Sequence, residues 1–274
     1  GKECWLSGLP SPRRKKPDPQ AMEIVIIGSG NVATAIGRKL LAAGHRITQL
    51  YSRNRDHAET LAGVLGARPI SSINELDQNA GLTLIAIPDN AFPSFLAGFP
   101  PTSSFLVHTA GSISMDILKG SSPRYGVLYP LQSFRKELET LTEFPLLIDA
   151  GNESDFPSLA AVADGLSNTV IRANDSLRMK YHLGGVLVNN FSNHLFALTE
   201  SWCRQEGIQF SLLYPLIRET CSRLKYASPA NLQTGPAVRN DTETLKKQIL
   251  LLQSYPELSQ LYEMLTRSIQ QFHE

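Results

Sequence analysis

The sequence predicts an α/β fold: a Rossmann-type, doubly wound, mostly parallel sheet followed by an all-helical C-terminal domain. Three observations carry this reading. An apolar run, Glu23-Ile24-Val25-Ile26-Ile27, stops at the turn Gly28-Ser29-Gly30-Asn31-Val32-Ala33 and passes straight into helix-forming residues. From Glu23 to about Arg172, strand-like and helix-like pieces alternate, as a parallel sheet covered by helices requires. After Ala173 the strand signals cease and helical patterns fill the remainder.

In chain order, strands are predicted at Glu23–Ile27, Arg46–Tyr51, Thr83–Ile87, Ser104–His108, Gly126–Leu131, Leu146–Ile148 and Asn168–Ile171. Helices are predicted between them at Val32–Ala43, Asp56–Leu65, Asn90–Ala97 and Ser154–Leu166, and Asn74–Leu76 leaves room for a short β–α excursion. Asn174-Asp175-Ser176 supplies capping residues for a helical pattern that runs to about Gln205, broken at Gly184-Gly185, with Gly207 as its stop. Helices at Ser211–Lys225, Thr242–Gln253 and Pro256–Phe272 follow. The domains therefore read as 22–172, which binds a nucleotide, and 173–274, which is helical. Residues 1–21 hold Pro10, Pro12, Pro17 and Pro19 around Arg13-Arg14-Lys15-Lys16 and read as a disordered extension, with Met22 a candidate natural start.

Composition narrows the function. Among 274 residues, Lys plus Arg number 26 and Asp plus Glu 25, a net charge of +1, so no global field recruits nucleic acid or an anionic membrane. No apolar run approaches the roughly 18 residues of a membrane span. Cys4, Cys203 and Cys221 form no CxxC or His-flanked spacing, which predicts no metal site and a reducing, cytoplasmic setting.

The turn after the first strand is a dinucleotide-binding fingerprint, GxGxxA, and each small residue has a mechanical reason. Gly28 permits the tight turn, Gly30 lets the backbone approach a pyrophosphate, and Ala33 keeps the helix near the sheet. Gly28, Ser29, Gly30, Asn31 and Val32 would surround the phosphates at the positive end of the helix. The second strand selects the cofactor. It ends Tyr51-Ser52-Arg53-Asn54-Arg55, with no carboxylate for the ribose hydroxyls of NAD and with Ser52, Arg53 and Arg55 suited to the 2′-phosphate of NADP. The other reading of the arginines is an exposed helix start. Ile87, Pro88 and His108 fall at strand ends where the nicotinamide half should lie, although a lone strand-end histidine is more often structural. Asp89 either contacts the ribose or caps the following helix.

In the helical part, His182, Val186, Asn189, Asn190 and Asn193 fall near one stripe of a helix, and serve either a substrate or helix–helix hydrogen bonds. Gln233-Thr234-Gly235-Pro236-Ala237-Val238-Arg239-Asn240-Asp241 gathers hydroxyl, guanidinium and carboxylate before a helix, so Arg239 meets a substrate carboxylate or pairs within the protein. His182 is the proton-donor candidate, Asn190 the orienting group and Arg239 the anion binder.

With these stretches in view, the chain resembles a group of Rossmann-type NADP oxidoreductases of unassigned substrate, whose second domain is like the C-terminal domain of 6-phosphogluconate dehydrogenase. The matching segments are IVIIGSGNVA, VHTAGSISM, GVLYPLQSF, KYHLGGVLVNNFSNHLFAL and QTGPAVRND. Pyrroline-5-carboxylate reductase, prephenate dehydrogenase and deazaflavin-dependent NADP oxidoreductase are more distant. The resemblance implies an NADP-binding domain, a helical domain that forms a homodimer, and a small keto or imino substrate bound between them. It marks Gly28, Gly30, Asn31, Val32, Ser52 and Arg53 for the cofactor and His108, Gln132, His182, Asn190, Thr234 and Arg239 around the substrate. Some members carry His where Tyr129 stands. The Lys–Asn pair of β-hydroxyacid dehydrogenases is not reproduced, since Lys180 is followed four residues later by Gly184. The alternative is a non-catalytic NADP-binding sensor or regulatory module, and a third reading is reduction of a deazaflavin.

Overall fold

A computed structural model describes residues 21–137 and 143–273. The expectations for the first 20 residues and for Cys4 lie outside the described residues. By its contacts the chain divides into a sheet unit that ends at Asn189 and a helical unit that begins at Asn190.

The sheet unit holds β1 (Glu23–Ile27), β2 (Arg46–Tyr51), β3 (Arg68–Ile70), β4 (Leu82–Ile85), β5 (Phe105–His108), β6 (Tyr125–Pro130), β7 (Leu146–Ala150) and β8 (Val170–Arg172). They lie in the order β3-β2-β1-β4-β5-β6-β7-β8, with all neighbours parallel except the antiparallel pair β6 and β7. Strand β1 explains its own composition. Ile24 and Ile26 enter one core cluster, Val25 and Ile27 the other, and all four are fully buried. A strand covered on both faces needs an unbroken apolar run instead of alternation. The helices α1 (Asn31–Ala42), α2 (Arg55–Leu65), α3 (Phe92–Leu96) and α4 (Phe156–Leu166) connect these strands.

Three local differences from the expected pattern have physical causes. Strand β3 escapes prediction because it has three residues, one of them Pro69, tolerated only because β3 is an edge. The helix expected at Asn90–Ala97 is a 3₁₀ turn at Asp89–Ala91 followed by α3, with Pro93 in its first turn. The excursion near Asn74 is the 3₁₀ turn Ile73–Glu75, closed by a reciprocal cap in which the Glu75 carboxylate accepts the Ser72 N–H.

The helix α5 (Asp175–Gly185) opens with Asn174, whose side chain accepts the Leu177 N–H. The expected break at Gly184-Gly185 does not occur. The chain stays helical and widens into a π-helical segment, Val186–Phe191. That widening spoils the 3.6-residue spacing of the stripe from His182 to Asn193, and Asn189, Asn190 and Asn193 are all exposed. The helical unit continues through α6 (Ser192–Gln205), α7 (Tyr214–Arg223), α8 (Pro229–Leu232), α9 (Thr242–Leu251) and α10 (Pro256–His273). Asp241 caps α9 by accepting the Thr244 N–H at 3.1 Å. Among the described residues, no helix is long and apolar enough to cross a membrane.

Candidate functional site

Strand order reverses at β1, which has β2 on one side and β4 on the other, and a crevice opens beyond the carboxyl ends of these strands. The cleft there has a volume of about 660 Å³. Its floor is the glycine turn. Gly28 has φ +119°, donates its N–H to the Tyr51 carbonyl at 2.8 Å, and lies so close to β4 that an added Cβ would stand 2.1 Å from the Ala86 oxygen. Only glycine fits there. A Cβ at Gly30 would meet no protein atom within 4 Å, so the space above it is open cleft. No side chain caps α1 at Gly30, and the first N–H groups of the helix remain available to a ligand.

The walls match a polyanion. Ser29 and Ser52 share a hydrogen bond of 2.8 Å, which ties the turn to the end of β2. Arg53 lines the cleft beside Asn54 and His57, and Lys136 approaches from the loop after β6, its N–H donating to Asn31 Oδ1 at 3.1 Å. No carboxylate lines the cleft among the described residues. Ile73, Ile87, Ala91 and Phe95 provide an apolar shelf suited to an aromatic base. The residues present therefore fit a dinucleotide that carries an extra phosphate.

A second cluster lies at the carboxyl ends of β5 and β6. Tyr129, the one residue of β6 that is not buried, places its Oη 2.9 Å from Nδ1 of His182 on α5, and the two rings meet edge-to-face at 5.8 Å. Gly111 makes this possible, because a Cβ there would stand 2.5 Å from His182 Nδ1. One turn before His182, Arg178 is 1% exposed; it donates to the Ile113 carbonyl and pairs with Asp175 at 2.9 Å. The Asp175 carboxylate also accepts the Met115 N–H. Burial pushes Asp175 upward, but Ser114, the Met115 N–H and Arg178 together hold it below the usual carboxylate range. Nε and Nη1 of Arg178 have no hydrogen-bond partner among the described residues. Asp89 binds the Ser112 hydroxyl and joins the loops after β4 and β5, so it caps no helix.

The region that builds the cleft, residues 23–110, matches the family described as NADP oxidoreductase, coenzyme F420-dependent. Residues 144–269 match a domain of unknown function, DUF2520. A candidate NADP oxidoreductase of Bacteroides fragilis is 36% identical over 92% of this chain and 98% of its own, with a TM-score of 0.86. The chain belongs to this NADP oxidoreductase family. Fold likeness extends to a reductive aminase of Aspergillus terreus, solved with NADPH and ethyl-5-oxohexanoate, at 17% identity over 91% and 95% of the two chains and a TM-score of 0.67. It extends also to the 1-pyrroline-5-carboxylate reductase of Streptococcus pyogenes, at 14% identity over 92% and 99% and a TM-score of 0.59. No curated protein matches the chain.

In this NADP oxidoreductase, Gly28, Ser29, Gly30, Asn31, Ser52, Arg53, Ile87 and Pro88 line the cleft. Val32 faces the core instead. Arg55 pairs with Glu59 one turn along α2, at 2.8 Å, and is outside the lining. Asn190 and Arg239 stand exposed on the helical unit. Lys136 left no sequence signal, and Tyr129 stood out only through the family resemblance, since both reach their partners from far along the chain. No group of metal-binding side chains exists among the described residues.

His108 has a structural environment. It is fully buried, takes the Ala110 N–H on Nδ1 at 3.1 Å, and meets Phe92 edge-on at 5.5 Å. Burial, reinforced by the Arg178 charge, lowers its pKa from 6.5 to about 3, so it stays neutral and donates no proton near neutral pH. Folded protein then binds fewer protons than unfolded protein between these two values. His108 costs nothing above pH 6.5 and destabilises the fold as pH drops toward 3, by at most about 1.4 kcal/mol per unit. Denaturant midpoints at pH 7 and pH 5 should show the loss, and His108→Leu should reduce it. An identical acid sensitivity in the variant would contradict this account.

Proposed function

We propose that this oxidoreductase transfers hydride between NADP(H) and a small keto or imino substrate. The observation that carries the reading is the cleft over the glycine turn, where Arg53 and Lys136 belong to the lining and no carboxylate among the described residues joins them. Bound NADPH supplies the acceptor carbon with hydride, that is, both electrons and one hydrogen. The rest falls to the protein. The turn from Gly28 to Val32 holds the diphosphate, Ser52 and Arg53 hold the 2′-phosphate, and Ile87 and Pro88 flank the nicotinamide half. His182 is the source of the proton for the acceptor's oxygen or nitrogen, which becomes basic as the double bond is reduced. Asn190 orients the acceptor, and Arg239 meets its carboxylate where it has one.

The acceptor class draws support from the fold relatives, one solved with a keto ester and one named for a cyclic imine. The test is NADPH consumption with a panel of cyclic imines and of keto acids, with and without an amine. At least one acceptor should be reduced. A protein saturated with NADPH that reduces none of them is a nucleotide-sensing module, and the catalytic reading fails.

The helical unit supports a homodimer. Among its described residues, the buried apolar ones are Cys203, Ala237, Leu245 and Leu252, whereas Leu212, Leu216, Tyr226 and Phe272 are 64–83% exposed. Faces this apolar need a cover, and a second copy offers the same faces in return. Light scattering should give twice the 30.2 kDa of one chain. Cys203 and Cys221, both unpaired thiols, suit a cytoplasmic setting.

A further inference from the structure

We infer that Tyr129 and His182 act as one proton-delivering dyad, with the Tyr129 hydroxyl as the acid that meets the acceptor and the His182 imidazole behind it. This rests on the reductase reading and goes beyond it by naming the atom that gives up the proton. Oη and Nδ1 are 2.9 Å apart, so one proton can pass between them without movement of either ring. The rings are locked by their edge-to-face contact and by Gly111, whose missing side chain leaves room for the imidazole. Tyr129 is the half-buried residue of a strand otherwise buried, and it stands near the carboxyl end of β6.

The charged and titratable groups around Tyr129 come from two elements. Asp89 follows β4, Arg178 lies one turn before His182 on α5, and His182 itself makes the contact. Burial raises the Tyr129 pKa, Asp89 raises it further, and Arg178 opposes both. The tyrosine thus holds its proton until an acceptor demands it, and the buried guanidinium of Arg178 stabilises the phenolate left behind. The step balances. The Tyr129 O–H bond breaks as an O–H or N–H bond forms on the acceptor, whose heteroatom has gained the π electrons. The phenolate then takes the Nδ1 proton of His182 as Nε2 of the same ring takes one from solvent. The net proton comes from water.

Tyr129→Phe keeps the ring packing and removes only the hydroxyl, so the variant should fold. With the acceptor identified by NADPH consumption, its kcat should fall about 100-fold, while KM for NADPH stays within about twofold. The double variant Tyr129→Phe/His182→Gln should lose no more than the worse single variant, since the two act as a unit. In cofactor-free protein, the ¹⁵N signals of His182 should shift when Tyr129 becomes Phe. A kcat within threefold of the parent, additive losses, or an unmoved His182 resonance overturns the dyad. If the parent reduces no acceptor, the reductase reading falls and takes the dyad's catalytic role with it, and a shifted His182 resonance then marks a structural contact.

Discussion

Gly28→Ala should unfold or severely destabilise the sheet unit, by about 3 kcal/mol or more, before any question of nucleotide binding arises. Two penalties act together. A φ of +119° lies where side chains other than hydrogen are strained, and the new Cβ would press on the Ala86 carbonyl at 2.1 Å. Relief requires parting β1 from β4 at the centre of the sheet, where the Ala86 N–H donates to the Ile27 carbonyl at 2.7 Å. A loss of that size is a large share of the stability of an ordinary domain. Thermal unfolding followed by circular dichroism reads it directly, and a melting temperature within a few degrees of the parent would show that the turn relaxes around a methyl group.

Gly28 and Gly30 illustrate how much of the molecule could be read in advance. Strands β1 and β2 fall at the residues expected, because an apolar run covered on both faces and a glycine turn are local properties. The parallel sheet and the helical remainder follow from alternation and its end. What escaped was non-local or marginal. Strand β3 exists only because β2 offers an edge, and nothing in Arg68-Pro69-Ile70 announces it. The antiparallel pairing of β7 with β6 is a long-range choice, which periodicity does not record. Gly184-Gly185 looks like a breaker, yet the backbone stays helical and the irregularity comes one residue later as a π turn.

The site divides in the same way. Residues of the turn were legible because their roles are steric and lie within six positions. Lys136 joins Asn31 across 105 residues, and Tyr129 joins His182 across 53, so neither pairing leaves a local signature. Two other positions show what the surroundings add. His108 and Arg55 carry suitable chemistry at suitable positions, but burial neutralises the one and Glu59 engages the other. Residue type proposes a role, and environment decides whether the group is available for it.

Arg53 is the group on which cofactor choice turns. It stands at the end of β2 in the wall of the cleft, exposed, and beside the hydroxyl of Ser52 that Ser29 fixes. A guanidinium meets a dianionic phosphate through paired hydrogen bonds, each worth about 1.5–3 kcal/mol when shielded and less when solvent reaches it. Its loss should therefore weaken NADPH about tenfold and leave NADH nearly unchanged. Paired fluorescence titrations of both nucleotides, on the native protein and on Arg53→Ala, test the whole account most directly. The native protein should favour NADPH and the variant should bind the two alike. Equal affinity in the native protein, or an undiminished preference in the variant, would contradict it.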